Sequence, residues 1–111
     1  MNLNDKKFRT LENASGVSSN DTIFHYFQDG ENITGTYKGG AIVTGSLVGK
    51  QIDATHIELL FQCITEAHEL KAGRSKGVIS QNANGSLTLT FDWNWLHGGD
   101  AGGVSHYVEV S

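Results

Sequence analysis

Two histidine–carboxylate sets, His56-Ile57-Glu58 and Glu66-Ala67-His68, hold their donors at i and i+2. At that spacing two side chains on one face of a strand can chelate a metal. Each set supplies only two ligands, where a zinc site takes three or four, so solvated strand side chains are the preferred reading and no metal is expected. His97-Gly98-Gly99-Asp100 lies in a glycine-rich turn and adds nothing firmer. Nucleophilic chemistry has one thiol to draw on, Cys63, with no sequence neighbour that would lower its pKa, and no Gly-x-Ser-x-Gly elbow occurs. Asp92, between Phe91 and Trp93, is the acid whose setting invites acid–base work. An outward carboxylate paired across strands is the plainer reading of it. No catalytic residue is assigned and no cofactor is expected.

Binding chemistry is better represented. The stretch "GSLTLTFDWNWLHGGD" puts Leu87, Leu89, Phe91, Trp93 and Trp95 at every second position, one face of a strand that ends in a glycine-rich loop. The two indoles are either core filling or the wall of a pocket. If Asn84-Gly85 forms a two-residue turn, Lys76 opposes Trp93 and Arg74 opposes Trp95, so two cations sit beside two indoles and can complement a negatively charged ligand group. A three-residue turn shifts the pairing and points both cations outward. Treating Asp29-Gly30 as a type I′ turn opposes Gln28 to Glu31 and gathers Phe24, Tyr26, Ile33 and Tyr37 on one aromatic, inward face with Gly35.

The elements that must position these residues are short. Turn signals recur at "NASG" (13–16), "SSND" (18–21), "DG" (29–30), "KGG" (38–40), "GKQIDAT" (49–55), "NANG" (82–85) and "HGGDAGG" (97–103). Between them run segments rich in β-branched and aromatic residues. They predict about eight strands: Lys7–Leu11, Thr22–Gln28, Ile33–Lys38, Ala41–Val48, His56–Glu66, Glu69–Gln81, Ser86–Trp95 and Gly103–Val110. The segment "HIELLFQCITEAHEL" also satisfies helical spacing through Leu59, Leu60, Cys63, Ile64 and Ala67, yet its Ile-Leu-Leu-Phe run and its neighbours favour a strand. The 14 glycines and the absence of proline suit a chain of paired strands. Consecutive antiparallel strands of this number close into a barrel, which removes exposed edges and leaves room for packed side chains or one small ligand.

At 111 residues the chain is expected to form one domain, residues 1–111. A net charge of −4, with Lys6-Lys7 as the only adjacent basic pair, gives no footprint for nucleic acid. No apolar run approaches a membrane span and the N-terminus lacks a signal-peptide core, so a soluble cytoplasmic protein with no membrane partner is expected. The single cysteine fits a reducing compartment.

The blocks "TIFHYFQDGENITGTYKGGAIVTGSLVG" and "LTLTFDWNWLHGGDAGGVSHYVEV" resemble a family of small bacterial avidin-like, calycin-type β-barrels of similar length. The resemblance runs nearly end to end. Its most specific pieces are Gly35-Thr36-Tyr37-Lys38-Gly39-Gly40, the Gly45/Gly49 pair and the "FDWNW" strand. It implies an all-β, up-and-down barrel. Members are often labelled N-acetylglutamate synthase, but the glycines here fall in strand turns, and "KGGAIVTG" lacks the Gln/Arg-x-x-Gly-x-Gly/Ala form of acetyl-coenzyme A sites. Avidin binds biotin through tryptophans and polar side chains at the barrel mouth. No polar position of that site is aligned here, so no residue role is carried over.

Three readings follow. The first is a barrel lined by Phe24, Tyr26, Tyr37, Leu87, Leu89, Phe91, Trp93 and Trp95. It binds a small, partly apolar molecule at the tryptophan end, with Tyr26, Tyr37, Arg74 and Lys76 as polar contacts and an anionic or planar ligand as the sharper version. The second is an enzyme, which should bring a titratable group such as Asp92, His25 or His106 within reach of the cavity for acid–base chemistry or acyl transfer. The third is a filled barrel that associates, as a homo-oligomer or with another protein, through an outer face such as Ile23/Phe27 or Val104/Val108.

Overall fold

Residues that alternate apolar and polar bury one face of a strand and wet the other. Eight such segments joined in sequence order find their most complete backbone pairing by curling into a cylinder. The computed structural model describes residues 2–13, 18–19 and 21–110. It contains β1 (Lys6–Asn13), β2 (Ile23–Asp29), β3 (Asn32–Gly39), β4 (Ile42–Gln51), β5 (His56–Thr65), β6 (Leu70–Gln81), β7 (Leu87–His97) and β8 (Gly102–Val110). Each strand runs antiparallel to the next, and β8 pairs with β1 to close the barrel. The "NASG" turn signal falls largely at 14–16, outside the described residues, as does Asn20 of "SSND".

The segment open to a helical reading is a strand. β5 pairs over nine positions with β4 and over nine with β6, so its backbone groups are satisfied from both sides. Ile57, Leu59, Cys63 and Thr65 turn inward, while Leu60 and Ile64 face solvent at 53% and 41% exposure. A helix would have buried Leu60 and Ile64 with the rest of the apolar set.

Turn chemistry decides the registers. Asp29 opposes Asn32, so the central residues of the β2–β3 loop are Gly30 and Glu31. Gly30 takes φ +61° at the first of these, as a type II′ turn requires. The pairing therefore lies two residues from the Gln28–Glu31 register the sequence suggested, and an even shift keeps the faces. Phe24, Tyr26, Ile33 and Tyr37 are all buried.

The β6–β7 loop corrects more. Asn82 N donates to the Ser86 carbonyl at 2.9 Å and Gly85, at φ +89°, donates to the Asn82 carbonyl at 3.0 Å. This is a three-residue loop with glycine at its left-handed position. Ser75 then opposes Trp93, Lys76 opposes Asp92 and Arg74 opposes Asn94. The odd shift exchanges the two faces, so Arg74 and Lys76 stand exposed on the outer wall.

One end of the barrel is plugged. Leu3, ahead of the first strand, is fully buried and belongs to the same core cluster as Phe8, Ile33, Ile57 and Ile79. Its N–H donates to Gln28 Oε1 at 2.9 Å, and Gln28 Nε2 donates to Gln51 Oε1 at 2.6 Å and the Gly30 carbonyl at 3.0 Å. Glu109 closes the neighbouring gap, accepting from Leu87 N at 2.9 Å and pairing with Lys6 at 3.3 Å. These hydrogen bonds hold the Glu109 carboxyl below its ordinary pKa. The opposite end, where β5 ends and β7 runs into residues 98–101, is where the chain leaves space.

Candidate functional site

Side chains that point inward from eight strands must share one narrow interior, so large rings fit only where a facing residue is small. Tyr37 lies across Gly45, its direct partner on β4, and Phe91 lies across Gly77, its partner on β6. A side chain at either glycine would occupy the space the ring now fills.

The result is a cavity of about 50 Å³ in the half of the barrel towards the open end. Its walls are mostly aromatic. Phe24 stacks on Tyr37 at 4.6 Å between centroids, and Tyr107 meets Phe24 and Phe91 edge-on at 5.0 and 5.6 Å. Trp93 and Trp95 form a T-shaped pair at 5.0 Å, with Phe61 edge-on to Trp95 at 5.9 Å. Trp93 is core as well as wall. It is 4% exposed, and its indole N–H donates to Ser105 Oγ at 2.7 Å. Trp95 is half-buried at the rim.

Polar groups break this apolar wall at a few points: Tyr26, Tyr37, Tyr107, Ser18, Ser75, Ser105 and Cys63. The Tyr37 hydroxyl donates to the Gln62 carbonyl at 2.9 Å and lies against the Cys63 sulfur. Tyr107 is hydrogen-bonded to Ser18 and Ser105. Tyr26 is 1% exposed, and its hydroxyl has no hydrogen bond to a described residue. Tyr26 is one of the residues that line the cavity.

Burial pushes all three tyrosines above their ordinary pKa, most strongly Tyr26 and Tyr37. Tyr107 and Tyr37 also disfavour ionisation of Tyr26, and Cys63 and Tyr107 disfavour that of Tyr37. Burial raises Cys63 too, against the opposing influence of Tyr37 and Lys71. At neutral pH the wall is therefore uncharged, and offers O–H donors and oxygen lone pairs.

Of the residues singled out in the sequence, Tyr26, Tyr37, Trp93 and Trp95 meet at this cavity. Arg74 and Lys76 do not. The cation beside an indole is Lys71, whose Nζ lies 4.9 Å from the Trp95 ring centroid. Asp92 is exposed opposite Lys76. His25 sits on the outer wall, 2.7 Å from Asp5 Oδ1, and His106 bonds Thr90 Oγ1 at 3.1 Å. None of these three lines the cavity. His56 is exposed and bonded to Asp53 at 2.9 Å, and the described residues hold no cluster of three metal-ligating side chains. Ile23, Phe27 and Val104 face outward.

Sequence reasoning missed Tyr107, Ser105, Ser75, Phe61 and Lys71. The signal for the first two was present: Gly103, Ser105 and Tyr107 recur at every second residue of β8, the same pattern as in β7.

A family model described as avidin-like protein matches residues 1–110. The chain belongs to the avidin-like family. Its closed eight-stranded antiparallel barrel has the architecture expected of an avidin-like protein. No curated protein and no solved structure matches the chain.

Proposed function

We propose that this avidin-like barrel binds a small, partly apolar molecule that enters past Trp95, with the part held inside the barrel electrically neutral. The observation that carries the reading is the ring-walled cavity lined by Tyr26, a buried tyrosine whose hydroxyl has no hydrogen bond to a described residue. Leaving a buried hydroxyl unsatisfied is costly, and a ligand oxygen or nitrogen would pair with it. A charge inside would lose its water with no cation in the wall to replace it, so the inner group is an alcohol, amide or carbonyl. Burying about 150–200 Å² of apolar ligand surface is worth about 4–5 kcal/mol at ~25 cal/mol per Å². That alone corresponds to a dissociation constant near the millimolar scale, which hydrogen bonds would tighten.

The test is a panel of small neutral alcohols, amides and aromatic amides, read by tryptophan emission and by the ligand-induced rise in Tm. Binding that disappears in Trp95→Ala, with a stability loss of only about 2 kcal/mol, is the expected result. That loss is roughly half the value for a fully buried tryptophan, because Trp95 is a rim residue. A panel in which no compound moves either signal, or a loss of about 3–5 kcal/mol for Trp95→Ala with binding intact, would refute the reading.

A further inference from the structure

The outer wall of the barrel sorts its charges, although the chain as a whole carries a net charge of −4. On the outward rows of β1 to β4 stand Lys7, Arg9, His25, Lys38 and Lys50, and among the described side chains of those rows Asp29, beside the β2–β3 turn, is the one acid. The outward row of β8, which flanks β1 on its other side, adds Val104, His106 and Val108 and no carboxylate. On the other side of the barrel the signs alternate instead: Glu58 of β5 opposes Lys76 of β6, and Lys76 opposes Asp92 of β7. Register gathers the cations of the basic wall. Lys7 lies directly opposite His25, which lies opposite Thr36, and on the next row Ile23 stands between Arg9 and Lys38. With strands about 4.8 Å apart, the Cα atoms of Arg9 and Lys38 are roughly 10 Å apart, a gap that long side chains can close over Ile23.

A groove of about 440 Å³ runs over this wall and shares only Tyr37 with the aromatic cavity inside the barrel. Thr36, Thr44 and Gly45 along it are small, which leaves the hollow, while Lys7, His25 and Lys38 bring donors for an anion. Neither lysine is in an ion pair, those among the described residues being Lys6–Glu109, His25–Asp5 and His56–Asp53. Neither has a hydrogen-bond partner among the described residues, so each keeps its three N–H donors. His25 commits Nε2 to Asp5 Oδ1 at 2.7 Å, which leaves Nδ1. Two unpaired ammoniums gathered on one wall repel each other, and an oxyanion between them turns that repulsion into attraction. A carboxylate offers two oxygens and a single charge; a phosphate monoester offers three terminal oxygens and a charge of about −1.5 to −2, which suits donors arriving from three different strands. We propose that this outer groove binds the phosphate monoester of a small soluble molecule, with the phosphate oxygens held by Lys7, Lys38 and the Thr36 hydroxyl and the organic part lying over the partly exposed Ile23. This site is separate from the aromatic cavity, and neither needs the other to be occupied.

The experiment titrates the whole chain with inorganic phosphate, glycerol 3-phosphate and acetate at constant ionic strength, read by amide proton–nitrogen NMR spectra. Both phosphates should saturably shift the amides around Lys7, His25, Thr36 and Lys38, and acetate should bind about 10-fold more weakly. The double variant Lys7→Gln/Lys38→Gln should weaken glycerol 3-phosphate about 10-fold. Arg74→Gln/Lys76→Gln removes the same two charges from β6, on the far side of the closed barrel from β2, and should weaken it less than about 2-fold. The location of the shifts in the wild-type chain needs no variant, so the test stands even if a substitution disturbs the wall. Shifts of equal size around Arg74 and Lys76, or equal losses in the two double variants, would reduce the effect to overall charge and overturn the proposal. The absence of any shift with either phosphate would overturn it as well. A chain that sediments with vesicles of phosphatidylcholine and phosphatidic acid in equal parts, while glycerol 3-phosphate leaves its amides unmoved, would assign the basic wall to a lipid surface and refute the small-molecule site.

Discussion

Replacing Tyr26 by phenylalanine removes a single oxygen from the centre of the barrel and should leave the fold as stable as before or more so. The ring is held by packing, edge-on to Phe8 at 5.5 Å and stacked near Phe24 at 6.4 Å, and those contacts survive the change. What disappears is a buried hydroxyl with no hydrogen bond to a described residue. If the hydroxyl is bare, its desolvation has cost about 1–3 kcal/mol and the variant regains much of that. If a cavity water pairs with it, the gain shrinks towards zero, so the expected change lies between about 0 and +2 kcal/mol. Tyr37→Phe is the matched contrast, because it deletes the O–H···O bond to the Gln62 carbonyl and should cost about 1 kcal/mol. Thermal unfolding separates them, at about 4–8 °C per kcal/mol for a domain near this size. The same Tyr26→Phe variant should lose most of its ligand affinity, giving opposite signs for stability and binding. A fall in Tm of more than about 4 °C for Tyr26→Phe would show that the hydroxyl is a structural hydrogen-bonding group, and the argument for it as a ligand contact would be lost.

Gly45→Ala puts a methyl group where the Tyr37 ring lies, so it should destabilise by about 1–3 kcal/mol and displace Tyr37, with the altered near-ultraviolet circular dichroism of the tyrosines as the check. Leu3→Ala opens the plugged end and should cost about 2–4 kcal/mol in denaturant unfolding, although Leu3 precedes the first strand. Alkaline pH should unfold the protein steeply. Tyr26, Tyr37 and Tyr107 have folded pKa values raised above the ordinary value near 10, so above that pH the unfolded chain releases protons the folded barrel retains. Stability is complete below pH ~10 and falls by up to about 1.4 kcal/mol per pH unit for each tyrosine as pH rises towards the folded values. Melting temperatures across pH 9 to 12 (roughly the window set by that value) would refute this if they fell no faster than in a Tyr37→Phe/Tyr107→Phe double variant.

The sequence by itself determined what depends on neighbours along the chain. A two-residue alternation is visible wherever it occurs, so the strands, the inward faces of β2, β3 and β7, and the convergence of Tyr26, Tyr37, Trp93 and Trp95 are legible in the order of the residues alone. Even the ambiguous 56–65 segment followed its β-branched and aromatic content. Tertiary structure decided what depends on register and closure. At 83–85 one additional loop residue carried Arg74 and Lys76 to the outside and brought Ser75 opposite Trp93, because side chains on a strand have only two directions and an odd shift exchanges them. At Gly30 an even shift moved every partner and changed no face. The alternation of Ser105 and Tyr107 marks an inward face in the sequence, but the interior they line exists because β8 closes the cylinder against β1, a contact between distant parts of the chain that local pattern does not encode. Lys71 stands at the mouth for the same reason: its inward direction follows from the β5–β6 pairing, and its partner Trp95 is brought to it only by the bulge between Ala72 and Gly73 and the turn of the 98–101 loop.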